Sequence, residues 1–588
     1  MDDRSTRPSQ AASAAAAVAA AAAAVGLMGW ARAAYQVRTL QERIMEWALL
    51  FVPTNLFEQG LQRFGANAKV IAVQVTMAVI ALVLAGLGYW AVRHGTRAVL
   101  ATAALLWLFA MGVVMPVTGA GFFATGLFQD VALTNASYAL LALVYASVLL
   151  GARAIASRHT AAGSAEVGGL SRRAFLGAIS GSGVAAALTL WLGRTHGVGA
   201  SDLPVASVDD LQPTEARSTV TAPSTAPTPA GAAAPFAAAP ATATPAPPAA
   251  TPTPRPVVPP PPKPMAKHID RTDVGSTTGA GRKPSELAPF ITSNEDWYIT
   301  TKNAVADPVV DPNKWRLIVD GEVNKPVQLD LAVMYQLPPV ELTKTLECIS
   351  NRVTRCGEAP FGCDLISTAR FKGARLRDLL QLAGGLKPNV RTLVFNCVDE
   401  FTSALPATPD VIEKSVVVYE MNGQVLPIEH GYPVRLLVPN LYGMKNPKWI
   451  QNIRPIAGDF VDWYGQRGWT REGVVRTMAR IDTPAEGQHL APGEHVIAGV
   501  AYAGSRGISK VEYSTDGGKT WTTATPVEPY VGPDTWLRWR GTFVFEGTKP
   551  ADLTVRCVDG TGAPQPEQIT PVEPNGQAGL DYISVYPA

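Results

Sequence analysis

The chain has 588 residues, enough for several domains, and its 50 basic and 48 acidic residues leave a formal net charge of +2. This near balance gives no basic surface of the kind that nucleic acid requires, so no nucleic-acid partner is expected. Hydrophobic residues make up 47% of the chain and the mean hydropathy is +0.11, which indicates a membrane-embedded portion. The five cysteines form no CxxC or CxxCH pattern. This argues against zinc, iron–sulfur and covalent haem sites, and no haem is predicted in this chain.

Residues 1–195 are largely apolar and are predicted to form a helical transmembrane region of four to five spans. A helix needs about 20 apolar residues to cross a bilayer. The runs that meet this length are Val70–Trp90, Val99–Ala120, Ser137–Ala156 and Ala174–Leu192. A fifth candidate, Ala11–Trp30, is nearly all alanine, which is only weakly apolar. Between the first spans, Val37–Phe64 mixes charged with apolar residues and predicts either an interfacial amphipathic segment or a packed helical hairpin.

The last apolar run is preceded by Ser171-Arg172-Arg173-Ala174-Phe175-Leu176-Gly177. This pattern is typical of a twin-arginine export signal, and the twin-arginine translocase would then be a partner. Alternatively, the two arginines simply follow the positive-inside rule. Both interpretations predict a multi-pass protein of the cell membrane whose following domains are extracytoplasmic. The same orientation places three arginines on the outer side, against the rule: Arg32, Arg38 and Arg43.

Residues 196–288 are predicted to be a disordered linker, because 30 of the 44 residues in Thr221–Pro264 are alanine or proline. Such a composition buries no core and favours an extended spacer, on the order of 100 Å if fully stretched. We therefore expect the linker to hold a soluble portion away from the membrane.

Two soluble domains are predicted after the linker. Residues 289–482 combine short strand-like runs with a helix and predict an α+β domain. Residues 483–588 are rich in strands and turns, including the hairpin signal Thr515-Asp516-Gly517-Gly518. About 100 residues of this pattern predict an all-β, immunoglobulin-like sandwich.

Several segments of the soluble portion, taken together, resemble one enzyme family. They are Phe290–Tyr298, Thr345–Asn351, Tyr419–Gly423, His430–Arg435 and Lys448-Trp449. In order and spacing they resemble the sulfite oxidase family of molybdenum enzymes. The resemblance runs from about Pro289 to the C-terminus, and its tail resembles the family's immunoglobulin-like dimerisation domain, which implies a homodimer. It implies a molybdenum–molybdopterin cofactor and a membrane-anchored oxidoreductase.

The resemblance also assigns site residues. Cys348 matches the cysteine that binds molybdenum in the family, and a soft thiolate suits such a metal; the alternative is a buried structural cysteine. Arg352 follows as a catalytic candidate beside the metal segment. The residues that match cofactor contacts are Asn294, Trp297, Tyr298, Cys397, His430, Arg435, Asn446, Pro447 and Lys448.

The resemblance implies two-electron oxygen-atom transfer, with a small oxyanion as substrate and sulfite oxidation to sulfate as the default. Electrons would pass to an external cytochrome or quinone-linked partner. Three positions depart from sulfite-oxidising members: Ser293 and Val353 replace arginines, and Trp469 stands where a tyrosine is expected. A reductase of S- or N-oxides, such as methionine sulfoxide, is therefore an alternative. A non-catalytic, tethered surface-binding module is a third hypothesis.

Cys356 and Cys363 lie shortly after the metal segment, with six residues between them. Their position allows two states, a disulfide that closes a loop beside the site or a pair of free thiols.

Overall fold

The computed structural model describes residues 8–52, 67–127, 131–161, 203–208, 211, 256–263, 285–303, 307–356 and 362–588. The N-terminal part of the chain is helical. Its helices are α1 (Gln10–Tyr35), α2 (Leu40–Ala48), α3 (Asn67–His94), α4 (Thr96–Phe109) and α5 (Val131–Ala161). A π-helical turn and a short helical turn, Ala110–Val114 and Met115–Val117, extend α4.

Four of these helices are long and apolar enough to cross a membrane. The qualifying segments are Gln10–Tyr35, Ile71–His94, Thr96–Val117 and Val131–Ile155. Four of the five expected spans, including the alanine-rich first one, therefore correspond to such helices. The remaining span, 174–192, and the arginine motif at 171–177 lie outside the described residues.

The short helix α2 begins with a capping box. The Thr39 hydroxyl accepts a hydrogen bond from the Glu42 amide, and the Glu42 carboxylate accepts one from the Thr39 amide at 2.8 Å. Glu42, Arg43 and Met45 are buried in this helix. For residues 40–48 the structure therefore shows a packed helix, and not a segment lying freely at an interface.

The first soluble domain contains one mixed sheet, one antiparallel sheet and three short helices. One sheet has the order β2-β1-β10-β5-β6, and the other β3-β4-β7-β8, with β9 paired to β7. The strands are β1 (Leu317–Val319), β2 (Val327–Leu329), β3 (Pro339–Glu347), β4 (Ile366–Arg375), β5 (Thr392–Cys397), β6 (Thr402–Pro406), β7 (Val416–Met421), β8 (Gln424–Val425), β9 (Arg435–Leu437) and β10 (Ile450–Ile456). The helices are α6 (Leu331–Gln336), α7 (Leu376–Leu382) and α8 (Pro409–Lys414).

Residues 203–208, inside the predicted linker, attach to the first sheet. Val205 bridges Gln328 of β2 in parallel, and the Ala206 amide donates to the Gln328 carbonyl at 2.9 Å. The apolar run Leu203–Ala206 thus covers the open edge of β2, which would otherwise expose unpaired backbone groups. The linker is therefore fixed to this domain near its start, and the alanine/proline-rich stretch follows the point of attachment.

The C-terminal region is all β. Its strands are β11 (Met478–Thr483), β12 (His489–Leu490), β13 (Gly493–Tyr502), β14 (Ile508–Ser514), β15 (Thr522–Thr523), β16 (Thr525–Pro526), β17 (Leu537–Phe545), β18 (Ala551–Asp559) and β19 (Asp581–Pro587). They form two sheets, β11-β13-β17-β16 and β12-β19-β18-β14-β15, which share one buried cluster that includes Trp539 and Val555. The immunoglobulin-like assignment stays a prediction.

The helical region contacts the first soluble domain through buried charges. Arg43 Nη2 lies 2.6 Å from Glu400 Oε1, and Arg38 Nη1 lies 3.5 Å from the other oxygen of that carboxylate. Arg38 also pairs with Glu46, whose carboxylate lies 3.8 Å from Lys302 Nζ. All five side chains are at most 11% exposed. We call this group of five residues the docking cluster.

Candidate active site

A cavity in the first soluble domain gathers side chains from four of the five segments that carry the family resemblance, all but Tyr419–Gly423. Its lining comprises residues 297–302, Cys348, Asp399, Phe401, His430, Arg435, Gly443, Met444, residues 446–449 and Tyr464. Distant parts of the sequence therefore meet at one place, as expected of a ligand site.

Cys348 follows directly after β3 and is 5% exposed. Its amide donates to the Leu365 carbonyl at 2.9 Å, and its carbonyl accepts from the Asn351 amide at 2.9 Å. The Thr300 hydroxyl lies 3.8 Å from the sulfur. Burial raises the pKa of the Cys348 thiol. The thiol is not in a disulfide, so it is available as a soft ligand that a metal would deprotonate.

The loop that presents Cys348 is held by buried polar contacts. The Asn351 side-chain amide donates to Glu347 Oε1 at 2.9 Å, and its oxygen accepts from the Leu365 amide at 2.9 Å. Burial raises the pKa of Glu347 to about 8. These bonds fix both ends of the turn, so the position of the thiol is set by the fold before any ligand binds.

Three buried cations face the cavity: Lys302, Arg435 and Lys448. Burial lowers the pKa of Arg435 to about 10 and that of Lys448 to about 8. Arg435 donates to the carbonyls of His430 and Asn446 at 3.2 and 3.0 Å. Its Nε is buried and has no hydrogen-bond partner among the described residues. Unsatisfied buried cations favour an anionic ligand, because such a ligand would restore the lost hydration.

The chemistry of the site matches the cofactor that the resemblance implies. Molybdopterin carries a phosphate and a dithiolene, which require cationic donors and a metal bound by soft ligands. The cavity supplies three cations, one thiol and a single carboxylate, Asp399. The loop around the cations is also tight. A Cβ at Gly431, where φ is +117°, would lie 3.1 Å from the Cβ atoms of Arg435 and Lys448. The residues present fit the cofactor.

Eight of the sequence-predicted site residues line the cavity: Trp297, Tyr298, Cys348, His430, Arg435, Asn446, Pro447 and Lys448. Three others are absent from the lining within the part of the chain that the structure describes. The Asn294 carbonyl lies 2.9 Å from His430 Nε2 and so positions that ring. Arg352 is half-buried and bonds the Gly362 carbonyl through its amide. Cys397 is buried and faces a second cavity.

Several lining residues were not predicted from the sequence, above all Tyr464 and Lys302. The resemblance implied that Trp469 stands at the family's tyrosine position. In the structure Trp469 packs edge-on against Tyr464, with ring centroids 6.0 Å apart, and Tyr464 lines the cavity. A tyrosine five residues before Trp469 therefore reaches the site. In the sequence, the adjacent aromatic residues Trp463 and Tyr464 were the feature that could have indicated a site residue here.

Cys356 and Cys363 are joined by a disulfide, with Cα atoms 5.1 Å apart. The Arg352 amide donates to the Gly362 carbonyl at 3.3 Å, which ties this loop to the segment that follows Cys348. Of the two states left open by the sequence, the structure contains the disulfide.

Comparisons with known proteins agree with the location of the site. A family model described as the oxidoreductase molybdopterin binding domain matches residues 304–463, and one described as the Mo-co oxidoreductase dimerisation domain matches residues 474–572. Sulfite oxidase of Gallus gallus is 29% identical over 333 residues, covering 49% of this chain and 71% of the relative. Mitochondrial sulfite oxidase of Homo sapiens is 28% identical, and the match spans 60% of its length and 49% of this chain.

Among solved structures, the sulfane dehydrogenase SoxCD of Paracoccus pantotrophus is 25% identical, with a TM-score of 0.43. The match covers 48% of this chain and 76% of the matched chain.

Proposed function

Because this chain belongs to the sulfite oxidase family of molybdopterin-dependent oxidoreductases, we propose that it oxidises sulfite to sulfate at the outer face of a membrane. The chain is an oxidoreductase that uses a molybdenum cofactor. The third hypothesis of a non-catalytic binding module is therefore set aside. The observation that carries the substrate proposal is the meeting of Cys348 with three buried cations in one cavity.

In this proposal, Cys348 holds the metal, and the bound cofactor supplies two-electron oxygen-atom transfer. Arg435 and Lys448 hold the phosphate and the polar edges of the pterin. His430, positioned by the Asn294 carbonyl, faces the ring system beside Trp297, 6.1 Å away between ring centroids. Burial removes water from these groups and thereby strengthens their attraction for an anion.

Tyr464 and Lys302 are proposed to face the substrate. Both line the cavity with Cys348, and neither is a predicted cofactor contact. A phenol O–H and an ammonium group are donors that suit the oxygens of a small oxyanion. The cavity therefore retains a cation and a tyrosine for sulfite in spite of the substitutions at Ser293, Val353 and Trp469. Arg352 does not line the cavity. Its proposed role is therefore that of a positioning residue, because its amide bonds the Gly362 carbonyl in the loop beside the site.

A reductase of sulfoxides or N-oxides remains the second candidate. It is favoured by one observation: within the described chain, Arg435 is the sole arginine in the lining of the cavity. Other cations that could have replaced the family's arginines lie elsewhere. Arg355 is exposed and bonds the Tyr582 hydroxyl, while Arg370 and Lys372 line a separate groove on β4. A neutral oxide would need fewer cations than a dianion.

The membrane orientation is also proposed. The docking cluster lies at one end of the helical region, and Arg93, Arg97 and Arg153 lie at the other end. The second group fits the cytoplasmic side under the positive-inside rule. Arg38 and Arg43 are then outside but neutralised by carboxylates of the docking cluster, and this accounts for their departure from the rule. The motif at 171–177 would direct the following domains through the twin-arginine translocase.

The test uses the full-length protein produced in a host that makes the cofactor. Molybdenum content is measured first, followed by turnover with sulfite and a soluble oxidant, and with methionine sulfoxide and a soluble reductant. We expect about one molybdenum per chain and faster turnover of sulfite. Faster sulfoxide reduction would select the second candidate, and protein with a full complement of molybdenum that is inert toward both compounds would refute both substrates.

A further inference from the structure

A second cavity, of about 490 Å³, lies between the helical region and the first soluble domain. The helical region contributes α2 and the segment from Pro116 to Leu127 to its lining. The catalytic side contributes the turn between β5 and β6 and the segment from Phe460 to Arg467. Its volume falls in the range typical of small-molecule sites.

The cavity lies at the outer edge of the apolar helices. Val117 lines the cavity and is 49% exposed, so it borders both the cavity and the surface of the helical region. Phe122 and Phe123 follow on the same connection and are 66% and 37% exposed. Exposed aromatic residues at the end of a membrane helix mark the level of the lipid headgroups. A lipophilic molecule could therefore reach the cavity directly from the bilayer.

The same cavity shares a wall with the active site. Phe401 lines both cavities, and it follows Glu400 of the docking cluster. Lys302, which faces the active site, pairs with Glu46, which faces the second cavity. One layer of side chains thus separates the cofactor site from a space at the membrane surface. This is a suitable arrangement for electrons to leave the domain.

The chemistry of the lining narrows the ligand class. Trp47, Phe401 and Trp463 supply aromatic surface. Arg467 lies over the Trp463 ring, with its guanidinium carbon 3.5 Å from the ring centroid, and both residues line the cavity. The guanidinium N–H groups suit the carbonyl oxygens of a flat, uncharged ring that stacks in this layer. Glu46 and Glu400 pair with Arg38 and Arg43, and Arg454 pairs with Asp320, so most of the charge in the lining is neutralised, which favours an uncharged ring over a phosphate headgroup.

We propose that this cavity binds the head group of a membrane quinone, which accepts the electrons released by the catalytic domain. The inference rests on the proposed sulfite oxidation, and the reaction balances. Sulfite and water give sulfate, two protons and two electrons, and the quinone takes up both protons and both electrons to become the quinol. No soluble cytochrome is needed in this scheme.

The test measures quinone binding directly, with an azido photoaffinity analogue of decylubiquinone and the full-length protein in lipid nanodiscs. We expect labelled peptides within residues 116–127 or 460–467, and competition by decylubiquinone itself. Val117→Trp fills the cavity from the membrane side and should lower labelling at least tenfold. Val113→Trp, about one turn earlier, 46% exposed and outside the lining, is the matched control and should label like the unaltered protein.

Molybdenum content of both variants reports whether they are assembled. Equal labelling of the two variants, labelling elsewhere in the chain, or phospholipid as the only molecule extracted from the purified protein would overturn the inference. The labelling requires no turnover. If labelling follows expectation while sulfite is not oxidised with a soluble acceptor, the substrate proposal fails and the quinone site stands.

Discussion

At the scale of single residues, the site depends on one thiol held in a buried turn. Cys348 is fixed by backbone bonds to Leu365 and Asn351, and Asn351 is itself held by Glu347. A ligand positioned in this way loses little entropy when a metal binds. Replacing its sulfur should therefore change chemistry and metal retention more than folding.

Cys348→Ser should lower sulfite turnover by more than about 100-fold, because loss of a metal ligand exceeds the cost of losing an outer-shell partner. Turnover and molybdenum content are measured together, with circular dichroism to report folding. Cys557→Ser is the matched control, since Cys557 is another buried free thiol, on β18 and outside the cavity lining. Unchanged turnover in Cys348→Ser would contradict the assigned role.

Asp581 provides a pH prediction away from the site. Burial raises its pKa to about 7 in the folded chain, above the ordinary value of 3.8. The folded state therefore binds more protons than the unfolded state between these values, and stability falls as the pH rises through this window. Asp581→Asn removes this loss of stability with rising pH. The unfolding temperature of the variant, compared with that of the unaltered protein, should therefore increase from pH 4 to pH 7.

Scanning calorimetry at both pH values checks this expectation. Asp552→Asn, at an exposed position on β18, should show no such growth. A gain for Asp581→Asn that is equal at both pH values would show that its charge is not the cause.

At the scale of elements, the contact between the helical region and the catalytic domain is ionic and buried. Glu400 is shared by Arg38 and Arg43, and all three side chains are at most 10% exposed. Removing one partner of a buried ion pair costs about 3–5 kcal/mol, since the remaining charge stays desolvated. The docking of α2 should therefore be sensitive to a single neutral substitution.

Glu400→Gln should increase hydrogen exchange across Leu40–Ala48, measured by mass spectrometry on the protein in nanodiscs. Glu413→Gln is the control, because Glu413 forms an exposed pair with Arg377 on the same domain. Protection of α2 that is equal in both variants would mean that the docking does not depend on these charges.

Local patterns in the sequence predicted the helices and the strands well, and the site less completely. Apolar runs predicted the membrane-type helices, since length and hydropathy are properties of one segment. The resemblance located eight lining residues, including Cys348. It missed Tyr464 and Lys302, because their place in the cavity depends on long-range packing between loops. Composition predicted a free linker that included Leu203–Ala206, because only the exposed edge of β2 gives that run a partner.

At the scale of the whole molecule, the C-terminal region should join two copies of the chain. The matching family model is described as a dimerisation domain, and the β11-β13-β17-β16 sheet presents exposed apolar side chains at Val496 and Val544 on two paired strands, β13 and β17. Monomeric proteins seldom expose large apolar patches without a partner. We expect two chains per particle for the full-length protein in detergent.

Native mass spectrometry counts the chains in each particle. Val544→Glu should shift the population toward one chain if this sheet forms the interface, whereas Val257→Glu, at a position 91% exposed in the linker, should not. A particle with one chain in the unaltered protein would exclude the dimer.

The attachment of Val205 to β2 has a consequence for how the two halves of the molecule find each other. Twelve residues, 193–204, lie between it and the end of the last predicted span at Leu192, a reach of about 45 Å at most. A tether this short sets an effective concentration in the millimolar range for its two ends. The helical region and the first soluble domain then dock intramolecularly, so even a weak contact between them would be formed most of the time. The long alanine/proline stretch contributes nothing to this concentration, and its length is free to vary.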